Sequence, residues 1–365
     1  MVDLPLRAGV IGLGIGQLHA EGYHISPDAT LVALCDADEL RLHDFGHKYN
    51  VPPEGLFTNY QRMLAEAKLD VLSVCLPNFL HAEVSIAALN AGVHVLCEKP
   101  LAPTVAQAQE ILDAAKRNDR RLIVGYNFRY RTDIQWIYRL VQAGQLGDIY
   151  HIYASWRRET GIPGGGWFGN LQLAGGGVLI DLGVHVLDLT LWLLGFPAVN
   201  TVSGDIRSLF GPHGLKTWGR RPGQPIEPSF DVDDGAVGFI RFANGANATL
   251  EVTWAEHRQP ADDLIHMEIQ GTKGTVVLKI PNYTWENTLA FYTEMEGEPV
   301  TITPKVRLNG LGSHEMLVLD TAHRLRYGEP LPANGEQGLV AVQILQAIYE
   351  SAKVRHEINM PILEV

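Results

Sequence analysis

The segment GGGVLIDLGVHVLDLTLWLLGF, residues 175–196, is almost wholly apolar, yet it carries Asp181, His185 and Asp188. A carboxylate and an imidazole four residues apart can hold and exchange a proton near neutral pH. At 100° per residue, Asp181 and His185 lie about 40° apart and Asp188 falls about 20° from Asp181. The spacing predicts a helix with a single polar stripe. Three ionisable groups near its middle would each cost about 2.5 kcal/mol or more in lipid, so a buried helix of a soluble protein is expected rather than a membrane span. The structural alternative is a satisfied core histidine at 185, a helix-start carboxylate at 181 and a structural pair for Asp188.

A second set of residues suits a dinucleotide. In VIGLGIGQLHA, where a first strand meets a first helix, Gly12 permits a tight turn and Gly14 lets the backbone approach a pyrophosphate. The turn, which includes Ile15, delivers the unpaired N–H groups of a helix amino terminus. Its spacing departs from GxGxxG, because the third glycine is Gly16 and Gln17 takes the usual place. Asp36 ends the next predicted strand, 24 residues after Gly12. A carboxylate there accepts hydrogen bonds from both ribose hydroxyls and repels a 2′-phosphate, so NAD is expected over NADP. Capping of the helix near Asp38 is the structural reading of Asp36.

LPNFLHAE and CEKP each follow a predicted parallel strand, where open α/β sheets place their ligands. Lys99, between Glu98 and Pro100, is a candidate for orienting a hydroxyl or carbonyl oxygen and stabilising alkoxide character, although on residue type alone a lysine is a solvated surface charge. The other histidines form no metal-ligand pattern: His19 and His24 lie five apart, and His314 and His323 have no visible third partner. No metal is expected.

Positioning these groups requires two kinds of architecture. The aliphatic runs LRAGVIGL, ATLVALCD, LDVLSVCL, VHVLCE and RLIVGY alternate with helical patterns and predict a parallel α/β sheet. Thr104 with Gln107 resembles a capping box, and Gly92 supplies a helix stop. After GYNFRY come a helix over about 130–143, a strand from Ile149 to Trp156, the GIPGGGWFGN loop and the helix of the polar stripe. GAVGFIRF, ANATLEVTW, LIHMEIQG and GTVVLKI then alternate like strands of a mostly antiparallel sheet, followed by helices near 313–327 and 335–352, the second begun by Asn334 with Gln337. On the predicted strand, Trp156 and Arg158 share one face.

A chain of 365 residues with 46% hydrophobic content exceeds the usual growth of one core, so two packed domains are expected. A net charge of −12 from interspersed acids argues against nucleic acid or an anionic membrane as the main partner and favours small molecules. Three scattered cysteines suit a reducing, cytoplasmic setting. The amino terminus lacks the basic and longer apolar regions of a signal peptide.

The sequence resembles the glucose-fructose oxidoreductase / inositol dehydrogenase (Gfo/Idh/MocA) family over essentially the whole chain: GLGIG, PNFLHAE, EKP, then GGGVLIDLGVHVLD about 80 residues later, and the closing AIYESAKVRHEI. The resemblance implies a Rossmann domain over 1–127. It implies an α+β domain over 128–365 with a large, mostly antiparallel open sheet used for homodimer or homotetramer formation, the last helices packing back on the first domain. It assigns Lys99, Asp181 and His185 to the catalytic positions. It places Gly12, Gly14, Ile15, Gly16, Asp36, Pro77, Asn78, His81, Glu98 and Lys99 at the cofactor, and Asn127, Trp156, Arg158, Asp181 and His185 at the substrate. The implied activity is NAD-dependent oxidation or reduction of a sugar, cyclitol or related polyol. A glycosidase using transient C3 oxidation and a non-catalytic sensor are the alternatives.

Overall fold

The computed structural model describes residues 4–164, 166–218, 230–259, 262–308 and 310–360. The chain forms two compact units, residues 1–130 with 310–342 and residues 131–309 with 343–365. The sequence reading sets its boundary at 127; the late segment 310–342 groups with the first unit.

Strands β1 (Leu6–Ile11), β2 (Ala29–Cys35), β3 (Leu56–Phe57), β4 (Val71–Val74), β5 (His94–Cys97) and β6 (Leu122–Val124) build the first unit's sheet. Their order is β3-β2-β1-β4-β5-β6 and every pairing is parallel. This is the 3-2-1-4-5-6 order of doubly wound dinucleotide folds. The strands read as unbroken aliphatic runs because helices cover both sheet faces. Five helices connect them: α1 (Gly16–Ile25), α2 (Glu39–Lys48), α3 (Tyr60–Glu66), α4 (His81–Asn90) and α5 (Val105–Arg117). The expected start of α5 is present, with the Gln107 amide donating to Thr104 Oγ1 at 3.3 Å, and Gly92 takes a φ of +80° beyond α4.

The second unit opens with α6 (Thr132–Gln142). Its strands are β7 (Ile149–Arg158), β8 (Ile162–Pro163), β9 (Val199–Arg207), β10 (Thr217–Trp218), β11 (Gly235–Phe242), β12 (Asn247–Thr253), β13 (Asp263–Gly271), β14 (Gly274–Pro281), β15 (Leu289–Met295), β16 (Glu298–Ile302) and β17 (Ile358–Asn359). Nine of them form one sheet in the order β16-β15-β14-β13-β7-β12-β11-β9-β17. All its pairs are antiparallel except β7 with β12. Alternation decides which face is covered: Ile152, Ala154 and Trp156 of β7 are buried, while His151, Tyr153 and Arg157 on the opposite face are partly exposed.

The apolar segment is not one regular helix. Preceded by α7 (Leu171–Ala174), it comprises a π-helical turn over Leu179–Gly183 and α8 (Val184–Leu194), ended by Gly195 at a φ of +76°. A wider i→i+5 turn advances the chain by a smaller angle per residue than an α-turn, so the expected 100° phase does not hold across Asp181. Leu171–Leu194 is long and apolar enough to cross a membrane, but 89% of its most apolar window is buried inside the protein. Two last helices complete the chain, α9 (Ser313–Tyr327) and α10 (Gly335–Val354). The expected cap of α10 is present, with Asn334 Oδ1 accepting from the Gln337 amide at 3.0 Å.

Candidate functional site

In the first unit, the three glycines of the turn have separate reasons to be glycine. Gly12 has a φ of +83°, and a Cβ there would lie 2.4 Å from the Cys75 carbonyl oxygen. A Cβ on Gly14 would meet nothing within 4 Å, which leaves its backbone open to an approaching pyrophosphate. At Gly16 it would press on Val10 at 2.9 Å, so this glycine performs the close helix–strand packing that the usual motif gives to its third glycine one position later. Asp36 Oδ2 accepts from the Leu13 amide at 2.6 Å and Oδ1 from the Asp38 amide at 2.9 Å. The cap of α2 is Asp38, which accepts from the Arg41 amide. Asp36 instead ties the end of β2 to the glycine-rich turn and keeps acceptor capacity on both oxygens. These residues fit the adenosine and pyrophosphate portions of a dinucleotide.

Pro77 and Asn78 lead a short 3₁₀ turn into α4. His81, fully buried, sets its Nδ1 2.8 Å from the Pro100 carbonyl and its Nε2 2.8 Å from the Leu76 carbonyl. Burial pushes its imidazole below the ordinary range, against the pull of both carbonyls and Glu98. The ring thus clasps the loop after β4 to the loop after β5. Glu98 is 5% exposed and accepts from the Lys99 amide at 3.1 Å. Asn127, also buried, donates its amide to Ser313 Oγ at 2.9 Å.

In the second unit, Arg158 lies over Trp156, its guanidinium carbon 5.2 Å from the ring centroid, as their shared strand face requires. Asp263 clamps both, accepting from Trp156 Nε1 at 2.7 Å and from Arg158 Nε at 2.8 Å. The Tyr283 hydroxyl is a further partner of Arg158. Although burial opposes it, the charges of Tyr283, Asp263 and Asp181 hold the guanidinium above its ordinary range. Burial pushes the Tyr283 phenol up to about 12, against Arg158.

The polar stripe meets this group. The His185 ring centroid is 5.6 Å from that of Trp156 at 49°, and Asp181 Oδ2 accepts from Trp254 Nε1 at 3.0 Å. An imidazole, a carboxylate, a guanidinium and an indole are therefore held together on one side of the sheet. Such a set complements a polyhydroxylated ring, whose hydroxyls take the polar groups and whose C–H face takes the indole. Asp188, 2% exposed, lies within the buried part of α8.

A clasp fixes the start of the stripe. Asp233 Oδ1 accepts from the Gly177 amide at 2.7 Å and Oδ2 from the Leu179 amide at 2.9 Å, while its carbonyl accepts from Val178 at 3.0 Å. A Cβ on Gly177 would lie 1.9 Å from that carbonyl oxygen, and one on Gly176 would lie 2.2 Å from the Tyr349 hydroxyl. This accounts for two residues of the GGG run. Burial raises the Asp233 carboxyl despite these donors.

Asp233, Trp254, Asp263, Tyr283 and Tyr349 were not anticipated. Only the run DVDDGAV, two acids before an apolar strand, offered any hint of one of them. The GIPGGGWFGN loop includes Gly165, which lies outside the described residues; within the loop, Trp167 stacks on Phe168 at 4.0 Å.

Residues 6–126 match the model of an oxidoreductase family with an NAD-binding Rossmann fold, in agreement with the sheet order and the glycine-rich turn. The protein is an NAD-binding oxidoreductase. Residues 134–277 match the GFO/IDH/MocA C-terminal domain, and the chain belongs to the Gfo/Idh/MocA family. D-glucoside 3-dehydrogenase of Escherichia coli K12 is 32% identical over 99% of this chain and 99% of its own. Levoglucosan dehydrogenase of Pseudarthrobacter phenanthrenivorans is 32% identical over 74% of this chain and 73% of its own. Among solved structures, an oxidoreductase domain protein from Kribbella flavida superposes with a TM-score of 0.84 at 26% identity, covering 98% of this chain and 100% of that one. Levoglucosan dehydrogenase in complex with NADH and L-sorbose superposes with a TM-score of 0.85 at 23% identity, covering 99% and 100%.

Proposed function

We propose that this protein is an NAD-dependent dehydrogenase or reductase of a sugar, cyclitol or related polyol. The nicotinamide, when bound, supplies the hydride-accepting or hydride-donating carbon. The chain supplies the rest. Gly12, Gly14, Ile15, Gly16, Asp36, Pro77, Asn78, His81 and Glu98 bind and orient the dinucleotide. His185 takes the proton from the secondary hydroxyl in oxidation and returns it in reduction. Asp181 accepts a substrate hydrogen bond and favours the imidazolium, and Lys99 orients the reacting oxygen and stabilises its developing negative charge. Trp156 backs Arg158 and His185 at the substrate site, while Arg158 and Asn127 donate to the substrate hydroxyls.

The observation that carries this reading is the grouping of Asp181 and His185 with Trp156 and Arg158, a carboxylate and an imidazole beside an indole and a guanidinium. The names of the curated relatives, a glucoside dehydrogenase and a levoglucosan dehydrogenase, support the substrate class. The test is a panel of methyl glucoside, levoglucosan, D-glucose and myo-inositol, scored for NADH formation by the parent protein, His185→Asn and Lys99→Ala. The expected result is turnover by the parent and a loss of at least a hundredfold in each variant. Turnover persisting in both variants overturns the residue assignment, and aglycone release from an aryl glucoside without net NADH makes the protein a glycosidase.

We further propose self-association through the uncovered face of the nine-stranded sheet. Tyr153, Phe239, Leu264 and Val277 sit half-buried there beside Arg157 and Glu251. Such a mixed apolar and charged face suits a second copy of the chain. The three cysteines are free and buried, which fits a cytoplasmic setting.

A further inference from the structure

We propose that His19 is a positioning residue for Lys99, acting through the carboxylate of Glu98. The proposal rests on the reading of Lys99 as the group that orients the reacting oxygen. Glu98 ends β5 and uses its two oxygens in different directions. Oε1 lies 3.0 Å from Nε2 of His19 on α1, and Oε2 accepts from the Lys99 amide at 3.1 Å. The carboxylate thereby links the buried face of α1 to the peptide from which the lysine side chain departs.

A carboxylate only accepts, so His19 Nε2 must carry the proton of that contact. Nδ1 lies 3.0 Å from Ser73 Oγ, which lies 3.0 Å from the Tyr23 hydroxyl, and all three side chains are fully buried. Ser73 Oγ thus bridges the Tyr23 hydroxyl and Nδ1, while Nε2 donates to Glu98. Contacts on both ring nitrogens fix the orientation of the imidazole. His314, its ring centroid 6.1 Å from that of His19, is the neighbouring titratable ring.

Gly125 leaves the space for the carboxylate. A Cβ there would lie 2.9 Å from Glu98 Oε1 and 3.1 Å from its carboxyl carbon. Without the imidazole N–H, a buried carboxylate has lost its main donor and must move or take up a proton, and the Lys99 peptide loses its fixed acceptor with it.

The experiment uses the full-length protein and exploits the reach of two amides. His19→Gln can place an amide nitrogen near the former Nε2 position, whereas His19→Asn reaches only the Nδ1 position toward Ser73. Three quantities are read: kcat on the fastest of methyl glucoside, levoglucosan and myo-inositol, NADH affinity, and hydrogen exchange at the Lys99 amide. The expected result for His19→Asn is a kcat at least thirtyfold lower and Lys99 exchange at least tenfold faster, with any loss of NADH affinity smaller than the loss in kcat. His19→Gln should lose less than fivefold in kcat and keep slow exchange. Gly125→Ala, which displaces the carboxylate while leaving His19 intact, should reproduce the Asn phenotype and carries the test if His19→Asn does not fold. Equal losses in the Gln and Asn variants, or unchanged Lys99 exchange in both His19→Asn and Gly125→Ala, would overturn the proposal. Fast Lys99 exchange in His19→Asn with undiminished kcat in Lys99→Ala would instead locate the failure in the role given to the lysine.

Discussion

The Tyr349 hydroxyl donates to Asp233 Oδ1 at 2.7 Å, and the same oxygen accepts the Gly177 amide at 2.7 Å. One carboxylate thus fastens the start of the stripe helix to α10. Tyr349→Phe removes one donor to a buried acid and should lower stability by about 1–2 kcal/mol, with kcat falling several-fold and NADH affinity unchanged. Gly177→Ala sets a methyl against backbone that cannot yield and should cost roughly 3 kcal/mol or more. Thermal unfolding and steady-state kinetics check both. A Gly177→Ala protein as stable as the parent would mean the clasp is looser than described.

Stability should fall in two steps on acidification. Burial lowers the His314 imidazole to about 4 from 6.5, so between those values the unfolded chain binds more protons than the folded one. Stability therefore rises with pH across that window and is lost as pH falls from 6.5 toward 4. Burial opposes ionisation of Glu98, but the His19 bond together with the charges of His19, His314 and Lys99 outweighs it and lowers the carboxyl to about 2 from 4.5. Its contribution is complete above 4.5 and disappears as pH falls toward 2. Denaturant midpoints against pH should lose part of the upper slope in His314→Asn and part of the lower in Glu98→Gln. An unchanged upper slope in His314→Asn would refute that share.

Cofactor choice should depend on Asp36. Asp36→Asn keeps one oxygen acceptor for the turn but removes the charge that repels a 2′-phosphate. The expected change is an NADH-to-NADPH affinity ratio at least tenfold smaller, read by fluorescence titration. A parent protein that binds both equally would leave Asp36 with its structural role alone.

Sugar affinity should depend on Arg158 separately from dinucleotide affinity. Arg158→Met preserves much of the stem packed on Trp156 but removes the donors, and should raise KM for the sugar more than tenfold while NADH affinity stays within twofold. A change confined to kcat would move Arg158 out of the binding role.

The uncovered sheet face should report on assembly. Phe239→Glu places a carboxylate at a half-buried position of β11, paired in register with Ser203 and Thr249. Light scattering should show the parent as a dimer or tetramer and the variant as a smaller species. A monomeric parent would remove this face from consideration.

The parallel sheet was legible because burial on both faces leaves aliphatic runs that need no partner to identify, and the caps at Thr104 and Asn334 are local chemistry. The two-residue β3 was not, since such a strand carries no periodicity. Gly16 illustrates an intermediate case: its packing role follows from where α1 begins, which the motif spacing alone does not say. The clasp and the clamp lay beyond reach for another reason. Asp233 lies 56 residues from Gly177, Trp254 73 residues from Asp181 and Asp263 107 residues from Trp156, so only the folded sheet brings them together. Asp181 and His185 do meet one group, but the uniform 100° step from which their shared face is read does not hold through the π-helical turn.

That turn amounts to a surplus residue lodged in the helix just ahead of the imidazole. Deleting one amino acid between Leu179 and Gly183 would let the hydrogen-bond ladder run regularly and would be mild for the helix. The wider turn absorbs the extra residue, so its removal would leave the flanking segments in place and change only the phase of the side chains inside the turn, Asp181 among them. A one-residue deletion there would therefore separate the phase of a single carboxylate from the integrity of the helix that carries it.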